Sequence, residues 1–341
     1  MAQAQRTYPS IEDYLGPAEG RFFSYGFRRS EHQVSQLVLA PAAAPADGSG
    51  AGARAVASIR YPADWSVKTA GTDLRPHLST VDTLIIAVQL AEAHLAHAHG
   101  LDDSLRAAMR LRKVTIRAGA APQEDLAGMA CSATPRGTVP GDIAGTFVSV
   151  YDCAVGNMRA RCEIEHSSTG LAGHEATYDA LEDALGSARQ RYYGTGFKNR
   201  QHYLEDVRVD MTDLRSAASV LIDPGDPAMA GIEGTYQPAL SMIDCFVVSL
   251  QLAQVLMYEM DSISRQDSNT LWMVKTILEA ARPDRPITGP LPAEAAITAS
   301  RLLPLRGATW RSVDISAECG GIGLRASFAH EVPGRPAASS N

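Results

Sequence analysis

The sequence predicts an α+β chain made of two copies of one unit, each a long apolar helix wrapped by a curled antiparallel sheet. Three observations predict it. A segment near the amino terminus is written again 170 positions later, each copy holds one 20-residue stretch that is apolar nearly all round, and the rest alternates in short runs as strands do.

The repeat comes first. TYPSIEDYLGPAEGRFFSYGFRR (7–29) returns as TYDALEDALGSARQRYYGTGFKN (177–199), and Thr7, Tyr8, Glu12, Asp13, Leu15, Gly16, Ala18, Arg21, Gly26, Phe27 and His32 all recur 170 residues on. A second block, 60–95 against 222–257, aligns without a gap at a spacing of 162, and 151–166 corresponds more weakly to 315–330. The eight extra residues of the first copy fall at APAAAPADGSGAGA (40–53), whose composition predicts a flexible surface loop. The 341 residues exceed one domain of roughly 100 to 200. The division expected is a first copy over 1–166, a connection over 167–176 and a second copy over 177–341.

The helices are expected at 79–98 and 241–260. Ser79 and Ser241 stand three residues before Asp82 and Asp244, a variant of the capping box. Their centres, LIIAVQLA and FVVSLQLA, lack the polar face of a surface helix, so other structure must enclose them. The strands expected are VSQLVLA, ASIRY, LRKVTIRA, TFVSVYD and RARCEIEH in the first copy, and DVRVDM, SVLID, WMVKTILEA, WRSVDISA and LRASFAH in the second. One helix within about five strands is the hotdog arrangement. Such units pair edge to edge, and a duplication supplies the pair in one chain, a tandem hotdog. Two separate α+β domains of another kind are the alternative.

Composition bounds the function. A formal charge of −7 argues against nucleic acid, whose phosphates need a concentrated cationic surface. Five cysteines without CxxC spacing suggest neither a disulfide framework nor a zinc site, and read as small buried hydrophobes. The start MAQAQRTYPS lacks a signal-like core and no apolar run approaches the roughly 18 residues that span a bilayer, so a cytoplasmic protein is expected. No GxGxxG, P-loop or GxSxG motif follows a suitable strand.

YPSIEDYLG, RFFSYGFRR, YPADWSVK and PHLSTVD together resemble the avirulence protein D (AvrD) family over most of the chain. The resemblance implies synthesis of syringolide-type acyl glycosides, in which a β-ketoacyl group from a thioester is joined to a ketose and cyclises to a butenolide-like skeleton. The A-factor synthases, which join a β-ketoacyl thioester to a triose phosphate, are analogous in fold and chemistry. No cofactor is expected beyond the thioester's own carrier, coenzyme A or an acyl carrier protein. The partners expected are small molecules and that carrier, with no membrane or nucleic acid, for a monomer or homodimer.

The loop YPADWSVKTAGTDLRPHLSTVD feeds the start of the first helix, where free N–H groups and the positive dipole end polarise a thioester carbonyl. Asp82 and Asp244 are candidates for the general base that removes the acidic proton between two carbonyls, and equally for plain helix caps. His77, just before the helix, is a residue type that exchanges protons near neutral pH, and equally a hydrogen-bonding surface group. Trp65, Lys68, Arg75 and His77 of the first loop become Pro227, Ala230, Gln237 and Ala239 in the second, which points to one functional site. Lys68 and Arg75, with Arg28 and Lys198 of the repeated GFRR and GFKN, are candidates to grip phosphate, and otherwise solvated charges. Tyr25, whose counterpart is Thr195, is a candidate pocket hydroxyl; the Gly-Phe pairs beside them read as packing. Gln89 and Gln251 are expected to bond across the paired helices. His94 and His97 have metal spacing but no third ligand, so no metal is expected. The reading is a condensing enzyme for a β-ketoacyl thioester and a small sugar or polyol. The alternatives are a dehydratase or thioesterase using His77 with a helix aspartate, and a non-catalytic acyl-binding protein.

Overall fold

Two 20-residue helices organise the molecule, α1 (Thr80–His99) and α2 (Met242–Asp261). Each starts where the sequence signals it. Ser79 Oγ accepts from the Asp82 N–H while the Asp82 carboxylate accepts from the Ser79 N–H, and Ser241 with Asp244 repeats the box. From Thr80 to Leu95 every residue of α1 is buried, as the missing polar face requires. By length and composition α2 is apolar enough to cross a bilayer, yet nearly all of it is buried within the protein.

The structure, a computed structural model, describes residues 5–41, 52–68, 75–167, 170, 174–225, 229–268, 271–280, 282, 285–305 and 308–336. Most of the loop at 40–53 and half of the connection at 167–176 lie outside them. The strands of the first half are β1 (Arg6–Ser10), β2 (Glu31–Leu39), β3 (Ala53–Arg60), β4 (Arg110–Arg117), β5 (Met129–Pro140), β6 (Thr146–Val155) and β7 (Met158–Ser167). Those of the second are β8 (Ala176–Ala180), β9 (Gln201–Asp210), β10 (Arg215–Asp223), β11 (Trp272–Ala280), β12 (Leu291–Leu305), β13 (Ala308–Cys319) and β14 (Ile322–Pro336).

All fourteen form one sheet in the order β1-β9-β10-β12-β13-β14-β11-β4-β7-β6-β5-β3-β2-β8. The α1 helix packs on β2 to β7 and α2 on β9 to β14, so each helix touches six of the seven strands of its own half: an α+β hotdog arrangement. The halves join where β4 pairs antiparallel with β11, Thr115 opposite Ile277. The amino-terminal strands are exchanged. β1 pairs with β9 in the second half, and β8 pairs with β2 in the first.

Repeat-related side chains brace the two halves reciprocally. Arg28 Nη1 donates to the Arg200 carbonyl at 2.7 Å and Lys198 Nζ to the Ser30 carbonyl at 2.5 Å. Arg21 Nη1 donates to Gln251 Oε1 at 2.6 Å and Arg191 Nη1 to Gln89 Oε1 at 2.8 Å. The glutamines therefore bond to the opposite half's amino-terminal segment and to their own helix carbonyls, Val247 and Ile85, where the sequence suggested bonding between the helices. All five cysteines are free and buried. His94 turns to the Tyr151 hydroxyl (2.8 Å) and His97 to the His174 carbonyl (2.5 Å), so the pair does not converge on one point.

Candidate functional site

The chain reaches the start of α1 through Tyr61–Lys68, and beside that helix end lies a cavity of about 640 Å³. Aromatic rings from both halves line it: Phe22 and Trp65 from the first, Phe246, Trp272 and Phe328 from the second. The rings interlock, Trp65 standing edge-on to Phe22 and to Tyr61 with centroids 5.5 Å apart in each case. Gly26 sets the depth of this wall. A Cβ there would lie 2.1 Å from the Trp65 carbonyl oxygen, so any side chain at 26 would push Trp65 out of place.

Polar groups gather at the α1 end. Leu78, Ser79 and Thr80 line the cavity, presenting the first turn of a helix whose leading N–H groups have no intrahelical partner. The His77 ring stands perpendicular to Trp65 at 6.1 Å, with Nδ1 3.1 Å from the Arg75 carbonyl. Lys68 Nζ donates to the Ser268 carbonyl and lies 3.1 Å from its hydroxyl; burial, then the charge of Arg265, push its ammonium down to about 8. Arg75 sits at the rim, 3.6 Å from Glu124. Trp65, Lys68, Arg75 and His77, read from the sequence as one cluster, all line this cavity.

The other candidates lie elsewhere. Asp82 is buried and bonded to His32 Nε2 (2.7 Å), the Tyr61 hydroxyl and Ser79, and does not line the cavity. Burial raises its carboxyl, but the bonds from His32, Ser79 and Tyr61 outweigh it and hold it below the usual carboxylate range. Asp244 is buried against Arg200, His202 (2.8 Å) and Ser241 (2.8 Å). There the Arg200 charge and the His202 bond overcome burial and drive the carboxyl well down. Each carboxylate caps its helix and anchors the side chains around it, and neither lines the cavity. Arg28 and Lys198 are spent on the reciprocal braces, and Tyr25, 37% exposed, lies under Arg28 and Arg29 at 4.9 and 5.4 Å, outside the cavity wall. His32 and His202 had one signal in the sequence, their identity across the repeat.

The repeat-related position in the second half is filled. Cavity residues Phe23 and Gln254 correspond there to Tyr193 and Glu92, and Gln123, whose carbonyl accepts from Leu78 N–H, to Arg285, whose carbonyl accepts from Leu240 N–H. Glu233 accepts from Tyr193 Oη (3.1 Å), Arg285 Nη2 (2.9 Å) and the Leu111 N–H (3.3 Å), bonds that fix it in the left-handed region at φ 65°. Glu92 accepts from Arg106 (3.0 Å) and the Ile232 N–H (3.3 Å). Glu233, in the segment 229–237, thus stands among these side chains in the second half. Among the described residues the start of α1 lines the cavity, while at the start of α2 the Tyr192 hydroxyl bonds to Ser241 and Arg285 donates to the Leu240 carbonyl.

The sequence profile of the family described as Pseudomonas avirulence D protein (AvrD) matches residues 6–333. The chain belongs to that family. No curated protein sequence matches this AvrD-family chain. Among solved structures it is similar to a conserved protein of unknown function with a hot dog fold from Alicyclobacillus acidocaldarius, at 11% identity and a TM-score of 0.38, over 83% of this chain and 94% of that one. The 12:0-ACP thioesterase from Umbellularia californica is similar at 10% identity and a TM-score of 0.37, over 79% and 91%. A conserved hypothetical protein with a double hotdog fold from Mycobacterium tuberculosis is similar at 10% identity and a TM-score of 0.39, over 75% and 82%.

Proposed function

We propose that this AvrD-family chain is a tandem hotdog enzyme, with copies 1–166 and 177–341 joined by 167–176, that condenses a β-ketoacyl thioester with a small sugar or polyol. The carrying observation is the aromatic cavity that opens on the first turn of α1 with His77 and Lys68 beside it. The rings suit an acyl tail, and the helix start suits the thioester carbonyl oxygen, where negative charge grows during attack. An acceptor hydroxyl attacks the carbonyl carbon, the C–O bond forms, the C–S bond breaks, and the thiol leaves with a proton. His77 takes the hydroxyl proton, and the charges of Lys68 and Arg75 hold a phosphorylated or polyhydroxylated acceptor at the rim. Ring closure follows when the carbon between the two carbonyls of the ester attacks the acceptor's own carbonyl, which gives a hydroxylated, butyrolactone-like ring, and loss of water from that ring gives a butenolide-like product.

Mass spectrometry of the protein incubated with a β-ketoacyl thioester, with and without ketoses and triose phosphates, tests this reading. An acceptor-dependent product, reduced roughly 10²-fold or more in His77→Ala, is expected. Free acid released at the same rate without acceptor would replace it with the thioesterase reading, and bound but unturned thioester with the binding-protein reading.

A further inference from the structure

Three strands at the junction of the two halves carry one cation each to the same place. Arg117 of β4 lies directly opposite Arg159 of β7 on one side and Lys275 of β11 on the other. Their neighbours Ile116, Ala160 and Thr276 are buried on the inner face, so the alternation of a strand turns the three cations outward. Like charges directly opposite one another cost stability. Among the described residues none of the three has an ion-pair partner, and Arg159 donates to main-chain carbonyls alone, those of Gly156 and Met158. Two acids of this face are paired elsewhere, Asp152 with Arg136 and Arg161, and Glu279 with Lys113 and Arg325, while Glu163 lies two pairs further along β7, opposite Lys113. An unneutralised row in a chain of charge −7 calls for an anion from outside.

The row stops where the cavity wall starts. Ala118 and Gly119 follow Arg117, Asn157 and Met158 precede Arg159, Met273 stands two residues before Lys275, and all five line the cavity. Asn157 Nδ2 holds the rim loop by donating to the Ala121 carbonyl at 2.8 Å.

We propose that Arg159, Arg117 and Lys275 bind the phosphate groups of coenzyme A while its acyl-pantetheine arm occupies the cavity. The proposal rests on the thioester reading of that cavity and adds the carrier to it. Guanidinium groups grip phosphate oxygens in pairs, and an ammonium adds a point charge. Neighbouring strands lie about 4.8 Å apart, so three span roughly 10 Å. That width matches a compact cluster of phosphates and is short for the acidic helix of a carrier protein.

Two non-hydrolysable thioether analogues test it by titration calorimetry, one β-ketoacyl group on coenzyme A and the same group on pantetheine without phosphate. The native protein is expected to hold the coenzyme A analogue about tenfold or more tighter. Arg117→Gln with Lys275→Gln should bring the two affinities to within about twofold, and raised salt should do the same. Thermal melting checks that the double variant stays folded, which removal of opposed like charges favours. Equal affinities in the native protein, or a preference that survives the double substitution, overturn the proposal while leaving the cavity reading intact. A third titration with an acyl carrier protein bearing the same thioether, weakened by the double substitution while the coenzyme A preference stays, overturns it in favour of a protein partner. Failure of both analogues to bind refutes the cavity reading, and the row falls with it.

Discussion

Phe27 and Phe197 stack on one another, ring centroids 6.2 Å apart and planes 15° from parallel. Each is the other's counterpart in the repeat, so a residue meets its own copy, as happens only on an axis that relates two like halves. Both rings are buried. Phe27→Ala and Phe197→Ala should each cost about 3–5 kcal/mol of unfolding free energy. Because the two share one contact, the double variant should lose less than the sum, and strictly additive losses in denaturant titration would refute the shared contact.

Asp244 anchors a buried guanidinium. Asp244→Asn leaves Arg200 charged and unpaired, at a cost of about 3–5 kcal/mol. Adding Arg200→Met should recover part of it. If Asp244→Asn kept full stability and lost only turnover, the anchoring role would be wrong and a chemical one restored.

Lys68 sets a pH window. Its folded value, pushed down to about 8, lies below the ordinary 10.5, so between those values the unfolded chain binds more protons than the folded one and stability rises with pH. Below about pH 8 the buried charge costs stability in full; above 10.5 the cost is gone. Lys68→Met should therefore stabilise more at pH 7 than at pH 10, and a pH-independent difference in melting temperature would exclude the shift.

The filled position in the second half fixes the stoichiometry. Native mass spectrometry with an acyl thioether analogue should show one ligand per chain. Two would mean that Glu233 and Arg285 give way and that the segment 229–237 opens.

Much of this was legible in the sequence where local chemistry and burial agreed. Ser-x-x-Asp followed by an all-apolar run specified both central helices, and the alternating runs specified ten strands. β5 and β12 were missed because MACSATPRGTVP and LPAEAAITASRLLPL are rich in Ala, Pro and Gly, and are strands through their neighbours on either side. β1 and β8 were missed because pairing with the opposite half is a tertiary fact with no local mark. The cavity cluster was legible through asymmetry, since a duplication that has lost Trp65, Lys68, Arg75 and His77 in one copy shows which copy kept them. The roles of the aspartates were not. Spacing shows that Asp82 caps a helix, whereas only the fold brings His32 and Tyr61 onto the same carboxylate.

The exchanged strands constrain how the chain is made. β1 emerges first from the ribosome, but its partner β9 is synthesised some 200 residues later, a wait on the order of 10 s or more at ordinary elongation rates. Meanwhile β2 presents an open edge until β8 arrives. The first copy is thus left with an unguarded flank until β8, at residues 176–180, has been made. A stalled or truncated chain is an aggregation hazard in a way the finished one is not.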